Sequence, residues 1–191
     1  MPAPRRLFVA IELPADVRDD AERAIVGLRG EAPELEWTRP ECRHVTMKFL
    51  GDVEPDRVGT ITSTMDQVAR AHRPFSLCLA HVGAFPNFRK ARVVWLGVEF
   101  EPRLELLQHD LEIAASGIGF ELEGRAFRPH VTLARAKAPL EIDRARRLAR
   151  AARKVDFTAS VDVAELTLFE STRAPTGAQH GRIHAATLGG C

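Results

Sequence analysis

The tripeptide His-Val-Thr occurs twice, in "RHVTMKFL" from Arg43 to Leu50 and in "RPHVTLAR" from Arg128 to Arg135. The two histidines, His44 and His130, lie 86 positions apart in a chain of 191 residues, so the copies are separated by nearly half its length. Side chains alternate across a strand with period two, so each copy sorts its residues onto two faces. His44, Thr46 and Lys48 share one face, against Val45, Met47 and Phe49 on the other. His130 and Thr132 repeat the pattern against Val131 and Leu133. The apolar face can pack on helices while the other presents an imidazole beside a hydroxyl. Two such strands at half-chain spacing, each followed by a loop and a helix, read as an internal duplication. The expected result is two lobes, each supplying one motif strand to a common cleft.

The rest of the pattern is mixed. Strands are predicted at Arg6–Leu13, Glu34–Thr38, Phe75–Val82, Arg92–Phe100 and Phe120–Gly124, with at least two more after Val155 and a last one near Arg182–Leu188. Helix spacing runs from Ala15 to about Leu28, from Pro55 through Val58, Ile61, Met65 and Val68, from Pro102 through Leu104, Leu107 and Leu111, and from about Pro139 to Arg153. Strands outnumber helices without strict alternation, which predicts an α+β fold with mainly antiparallel pairing, read as one bilobal domain over 1–191.

Bulk properties narrow the function. The hydrophobic share is 45% and the formal net charge is +1, so charge as a whole gives no case for nucleic acid or a membrane, and an anionic substrate must be held locally. The apolar run Leu7–Ile11 is too short for a signal peptide, and no stretch has the length of a membrane-spanning helix. A soluble, cytoplasmic protein is expected. Cys42, Cys78 and Cys191 show no C-x-x-C spacing and suggest neither disulfides nor a zinc site.

Two histidines facing one cleft form an acid–base pair, because an unperturbed pKa of about 6.5 lets one be neutral while the other is charged. Threonine hydroxyls beside them can donate to oxygens held between them. A phosphodiester, with two outer oxygens, an incoming nucleophile and a leaving oxygen, fits such a site without a metal or cofactor. As metal ligands the two histidines lack a third partner at a readable spacing. Arg39, Arg43, Lys48, Arg89, Lys90 and Arg92 are candidate phosphate contacts, Lys48 foremost because it shares the motif face. The basic run Asp143–Lys154 has a buried stripe of Ala145, Leu148, Ala149, Ala152 and Val155 that leaves its arginines outside. Phe127 is a candidate stacking platform for a base, whereas alternation sends Phe49 to the core. Trp37 and Trp95 are expected in the core, and "HGRIH" at His180–His184 is a weak metal pattern.

The two motifs resemble the paired His-x-Thr signatures of the two-histidine (2H) phosphoesterase superfamily, and most of all the RNA 2',3'-cyclic phosphodiesterases historically called 2'-5' RNA ligases. "RLFVAIELP", "HVTMKFLGDV", "GAFPNFRKARVVWLGV", "FRPHVTLARAK" and "ELTLFES" carry the likeness over nearly the whole chain. The resemblance implies a bilobal fold of two mainly antiparallel sheets flanked by helices, pseudo-twofold, with a central cleft. It implies metal-independent hydrolysis of a terminal RNA 2',3'-cyclic phosphate to a 2'-phosphate, with a possible reverse 2'-5' ligation. His44 and His130 fall on the catalytic positions, and Thr46 and Thr132 on the substrate-binding ones. The resemblance adds Arg135 as a phosphate contact, although alternation puts it on the core side. His180 stands where an aromatic residue is common. Making a 2'-phosphate requires breaking the bond to O3', so one histidine activates water and the other protonates O3'; His130 as base with His44 as acid is the assignment taken, with the reverse assignment left open. The expected partner is RNA with a cyclic phosphate end, tRNA fragments among them, met by a monomer. The alternatives are a phosphodiesterase for 2',5'-oligoadenylate or small cyclic nucleotides, and a non-catalytic RNA-end-binding module.

Overall fold

The computed structural model describes residues 3–174 and 177–189. In chain order the elements are β1 (Arg5–Glu12), α1 (Ala15–Ala24), α2 (Val26–Glu31), β2 (Glu36–Trp37), β3 (His44–Val53), α3 (Val58–Arg70), β4 (Phe75–Phe85), β5 (Val93–Val98), α4 (Pro102–Gly117), β6 (His130–Arg135), α5 (Ile142–Ala152), β7 (Thr158–Val163), β8 (Glu165–Ala174) and β9 (Gly177–Thr187). Short 3-10 turns at Pro40–Cys42, Pro55–Arg57 and Phe88–Lys90 punctuate them.

The strands join in the order β7-β4-β5-β6-β3-β1-β8-β9, with β2 beside β6. All recorded pairings are antiparallel. The α+β, two-sheet expectation holds, with one refinement. The two sheets are halves of a single one, β7-β4-β5-β6 and β3-β1-β8-β9, and they meet at the two motif strands. Among the described residues β3 and β6 share a single registered pair, Val45 opposite Val131.

The five helices among the described residues all bury side chains in one core cluster, on one face of the sheet. There α3 and α4 pack together over the β3–β9 half, while α2 and α5 pack together over the β4–β7 half. Burying side chains such as Leu7, Ile11, Leu79, Leu96, Leu104 and Leu107 between helices and sheet stabilises by roughly 1.5–3 kcal/mol each. The opposite, open face carries a small separate cluster of Phe8, Ala10 and Phe169. The continuous run Leu7–Ile11 is thus buried on both faces.

Three local expectations change. The helix expected over Ala15–Leu28 breaks at Ile25, whose ψ of 4° ends α1 and starts α2. Gly51 does not end the motif strand but sits inside it at φ +74°, a conformation glycine adopts at no steric cost, and β3 continues to Val53. Phe120–Gly124 is not a strand. Its backbone is met by side chains instead: Lys48 Nζ donates to the Glu121 carbonyl at 2.6 Å, and the Glu123 N–H donates to Glu112 Oε1 at 2.5 Å.

The decisive irregularities are bulges. In β3 the register against β1 jumps from Ala10–Thr46 to Val9–Lys48, leaving Met47 as the extra residue. In β6 the register against β5 jumps from Trp95–Thr132 to Val94–Ala134, leaving Leu133 extra. The two bulges occupy the same place in both copies, directly after the motif threonine. An extra residue inverts the alternation beyond it. Lys48 is therefore not on the motif face: it is 6% exposed and its ammonium is paired with Glu112 of α4. Phe49, expected in the core, is 61% exposed instead.

Candidate active site

The Val45–Val131 pair marks a local twofold axis. One step along each antiparallel strand sets His44 across from Thr132, and Thr46 across from His130. Neighbouring strands extend these rows on the open face. Ala10 flanks Thr46, Glu12 flanks His44, Gly97 flanks His130 and Trp95 flanks Thr132. The residues beside Thr46 and His130 are thus small. A Cβ on Gly97 would come within 2.8 Å of the Ala80 carbonyl oxygen, so that close strand approach requires glycine.

Each imidazole is fixed in the same way. His44 Nδ1–H donates to the Cys42 carbonyl at 2.9 Å, and His130 Nδ1–H donates to the Arg128 carbonyl at 2.7 Å. Both acceptors lie two residues upstream. A carbonyl can only accept, so it selects the Nδ1–H tautomer and leaves Nε2 as the acceptor when the ring is neutral. On His44 that nitrogen is 3.1 Å from Thr46 Oγ1, whose hydroxyl donates to it in the neutral state.

The His44 ring lies in an aromatic box. Its centroid is 4.7 Å from Phe8, 6.2 Å from Phe169 and 5.1 Å, edge-on, from His180. Burial drives its pKa down to about 4, with contributions from His180, Arg135 and His130 against the opposing Cys42 carbonyl. Glu12, the nearest carboxylate in register, is turned to Arg18 and Arg182 at 3.5 and 3.4 Å. His130 is also lowered, by burial first and then Arg135, against the Arg128 carbonyl. Its aromatic neighbour is Phe85, edge-on at 5.1 Å, and Phe85 leans on Trp95, also at 5.1 Å. The indole covers Gly83, where any Cβ would overlap the ring at 2.2 Å. Trp95, expected in the core, thus belongs to the open face.

Arg135 acts electrostatically on both histidines. The bulge at Leu133 explains how: Ala134 takes the buried position, 0% exposed, and Arg135 emerges on the motif side. The conflict between alternation and resemblance disappears with that one extra residue. Phe127 is half-buried and packs against the main core, while Phe49 is exposed on the cleft side, 6.0 Å from Phe8. Arg43, a candidate contact, is 1% exposed and tied to Glu22 and the carbonyls of Arg18 and Thr38 under α1. Arg39 is anchored to the Ala178 carbonyl at 2.8 Å and, together with burial, lowers the pKa of His180.

His180 and His184 do not act together. A bulge at Ile183 sends His184 to the helix side, 2.8 Å from Asp66, while His180 stays against His44. Among the described residues no group of three or more His, Cys, Asp or Glu side chains is placed to hold a metal ion. No helix among them is long and apolar enough to cross a membrane.

Comparison with known proteins identifies the family and the fold. The family model of the 2'-5' RNA ligase superfamily matches residues 14–175. The chain is 33% identical to an RNA 2',3'-cyclic phosphodiesterase of Methanothermobacter thermautotrophicus, over 90% of this chain and 92% of that one. It is 31% identical to the protein of the same name from Thermotoga maritima, over 90% and 89%. Among solved structures, a protein of Thermus thermophilus superposes with a TM-score of 0.80 at 27% identity, covering 97% of this chain and 98% of that one. Escherichia coli LigT complexed with 3'-AMP superposes at 0.75, also at 27% identity and with coverage of 97% and 98%.

Proposed function

The chain belongs to the 2'-5' RNA ligase superfamily, and from that premise we propose that it hydrolyses the terminal 2',3'-cyclic phosphate of RNA to a 2'-phosphate, with His44 and His130 as its proton-transfer pair. The observation that carries the reading is the local twofold at Val45–Val131, with both imidazoles held by Nδ1–H bonds so that each keeps Nε2 for chemistry. That the cyclic phosphodiesterases of two organisms match over most of their length supports the substrate class. The 3'-AMP complex of the Escherichia coli neighbour supports a nucleotide as the group beyond the phosphate.

In this mechanism the cyclic phosphate lies between the two histidines. One imidazole takes a proton from water as it attacks phosphorus, and the other protonates the departing O3'. In-line displacement needs these groups on opposite sides of phosphorus. The two protein groups make both proton transfers, so the step requires no Lewis acid. Thr46, Thr132 and the Arg135 guanidinium stabilise charge on the non-bridging oxygens. Thr46 must leave Nε2 of His44 to do so, a bond the substrate replaces.

His130 acts as the base and His44 as the acid. In the free protein both pKa values are lowered, His44 to about 4. The acid role therefore requires the bound phosphodiester anion to raise His44 toward the working pH, as an opposite charge within about 4–6 Å does. Ligation through a 2'-5' bond is the same displacement with the 5'-hydroxyl of a second RNA in place of water: His130 takes the hydroxyl proton, the new P–O5' bond forms as P–O3' breaks, and His44 protonates O3'. The base of the terminal nucleotide stacks on Phe49. One chain, each half supplying one motif strand, forms the complete site, and RNA ends such as those of tRNA fragments are its substrates.

The test is incubation with a short RNA ending in a 2',3'-cyclic phosphate in EDTA, separating 2'- from 3'-phosphate products. A 2'-phosphate product, lost in His44→Ala and His130→Ala, is expected. Activity only after adding a divalent metal would refute the two-histidine mechanism. Turnover of 2',5'-oligoadenylate alone would move the substrate, and binding without turnover of any substrate would make the chain an RNA-end-binding module.

A further inference from the structure

On the helix side of the β4–β7 half, α2 and α5 border a groove of about 380 Å³. Leu28, Ala151 and Val155 supply apolar lining, and Arg147, Arg150 and Lys154 supply positive charge, with Glu31 and Asp156 also at its border. Arg147 is neutralised by Glu31 at 3.3 Å, as Arg144 is by Glu34 and Arg146 by Asp143. Arg150, Arg153 and Lys154 are exposed and have no ion-pair partner among the described residues. Cations there favour the C-terminal carbonyls of α5. That helix-end effect fades within a turn and does not account for the charge beyond α5.

The positive charge continues to the cleft. Ala136, next to Arg135, donates its N–H to the Arg92 carbonyl at 3.0 Å, and the Arg92 N–H donates to the Phe85 carbonyl at 2.8 Å. These bonds close the loop Phe85–Arg92, whose Phe88–Lys90 turn packs against α5. Arg89, Lys90 and Arg92 are exposed on it, without ion-pair partners among the described residues. By contact, the segments follow from the cleft as Arg135–Ala136, Arg92, the Phe88–Lys90 turn and then α5, which carries Arg150 and is followed by Arg153 and Lys154. In a molecule with net charge of only +1, Arg6, Arg70, Arg125 and Arg128 are also exposed without ion-pair partners among the described residues, but the six unpaired cations of the turn and the end of α5 lie on segments in contact with one another, as the electrostatic footprint of a bound polyanion does.

We propose that this path is a single-stranded RNA track: an RNA with its 3' end in the cleft passes over the Phe88–Lys90 turn, and its upstream phosphates enter the α2–α5 groove. The proposal rests on the reading of the cleft as a site for RNA ends. It predicts two classes of substrate contact, one at the terminal phosphate for chemistry and one several nucleotides upstream for affinity.

The experiment compares the intact protein with Arg150→Ala/Lys154→Ala on two substrates ending in a 2',3'-cyclic phosphate, a dinucleotide and a 20-nucleotide single strand. Each phosphate contact contributes about 0.7 to the slope of log kcat/KM against log salt for a single strand. The double variant is expected to flatten that slope for the long substrate by about 1.4, lower its kcat/KM at low salt, and leave the dinucleotide unchanged. An unchanged slope for the long RNA, or equal loss on both substrates, overturns the track. If the wild-type protein cleaves neither substrate, the cleft reading fails. The track is then decided by fluorescence anisotropy with a labelled 20-nucleotide RNA over the same salt series. A flatter slope in the variant supports it and an unchanged slope overturns it.

Discussion

The two motif strands begin alike and end differently. Each has the His-Val-Thr triplet, an Nδ1–H bond to the carbonyl two residues upstream, and a bulge just after the threonine. Beyond the bulge, the core-side position is Lys48 in one strand and Ala134 in the other, and the cleft-side position is Phe49 against Arg135. The imidazoles also differ in setting. His44 sits among Phe8, Phe169 and His180, with its pKa at about 4, whereas His130 meets Phe85 at one edge. The repeated motif thus places a symmetric pair of imidazoles, and the difference after the bulges makes their surroundings asymmetric. In the proposed mechanism one half offers a cation for phosphate and the other a ring for a base.

The largest effect that would sharpen this asymmetry is at Arg135. Arg135→Ala is expected to lower kcat by roughly 10²–10³-fold, the scale of losing one charge-stabilising donor. Phe49→Ala is expected to act on KM instead, weakening a nucleotide substrate by about 1–3 kcal/mol with kcat largely kept. Steady-state kinetics on one RNA substrate read both. If the two variants changed the same constant, the division of labour would be wrong.

A smaller effect separates the two histidines in stability. The unfolded chain protonates His44 near its ordinary value of 6.5, but the folded protein does so only at about 4. Protons therefore favour unfolding in that window: stability present above pH 6.5 falls as the pH drops toward 4. The ceiling is about 3 kcal/mol. Denaturant unfolding of His44→Asn should show a shallower loss between pH 7 and 4.5 than the wild type. The smallest change is His180→Phe. Removing that neighbour's positive charge should move the His44 titration upward in an NMR pH series, and no movement would remove His180 from the box.

Much of this was legible in the sequence. Period-two alternation placed His44 and Thr46 together, as it did His130 and Thr132, and apolar spacing found the helices. The bulges were not legible, because Met47 and Leu133 are ordinary strand residues and only pairing with β1 and β5 reveals the extra position. That single omission misplaced Lys48 and Phe49 and set Arg135 at odds with its neighbours. Phe120–Gly124 has strand composition, but Lys48 and Glu112 satisfy its backbone from outside any sheet. Trp95 looks like a core residue until the bare backbone at Gly83 is seen to receive it.

The central claim is that both histidines exchange protons in one turnover. The most direct measurement is the pH dependence of kcat/KM on an RNA 2',3'-cyclic phosphate for the wild type, His44→Ala and His130→Ala. A bell is expected for the wild type, reporting one neutral and one protonated imidazole. Each variant should keep only one limb of the bell, with rates reduced by roughly 10²–10⁴-fold. A wild-type profile flat from pH 5 to 9, or a variant that keeps both limbs, would contradict the account.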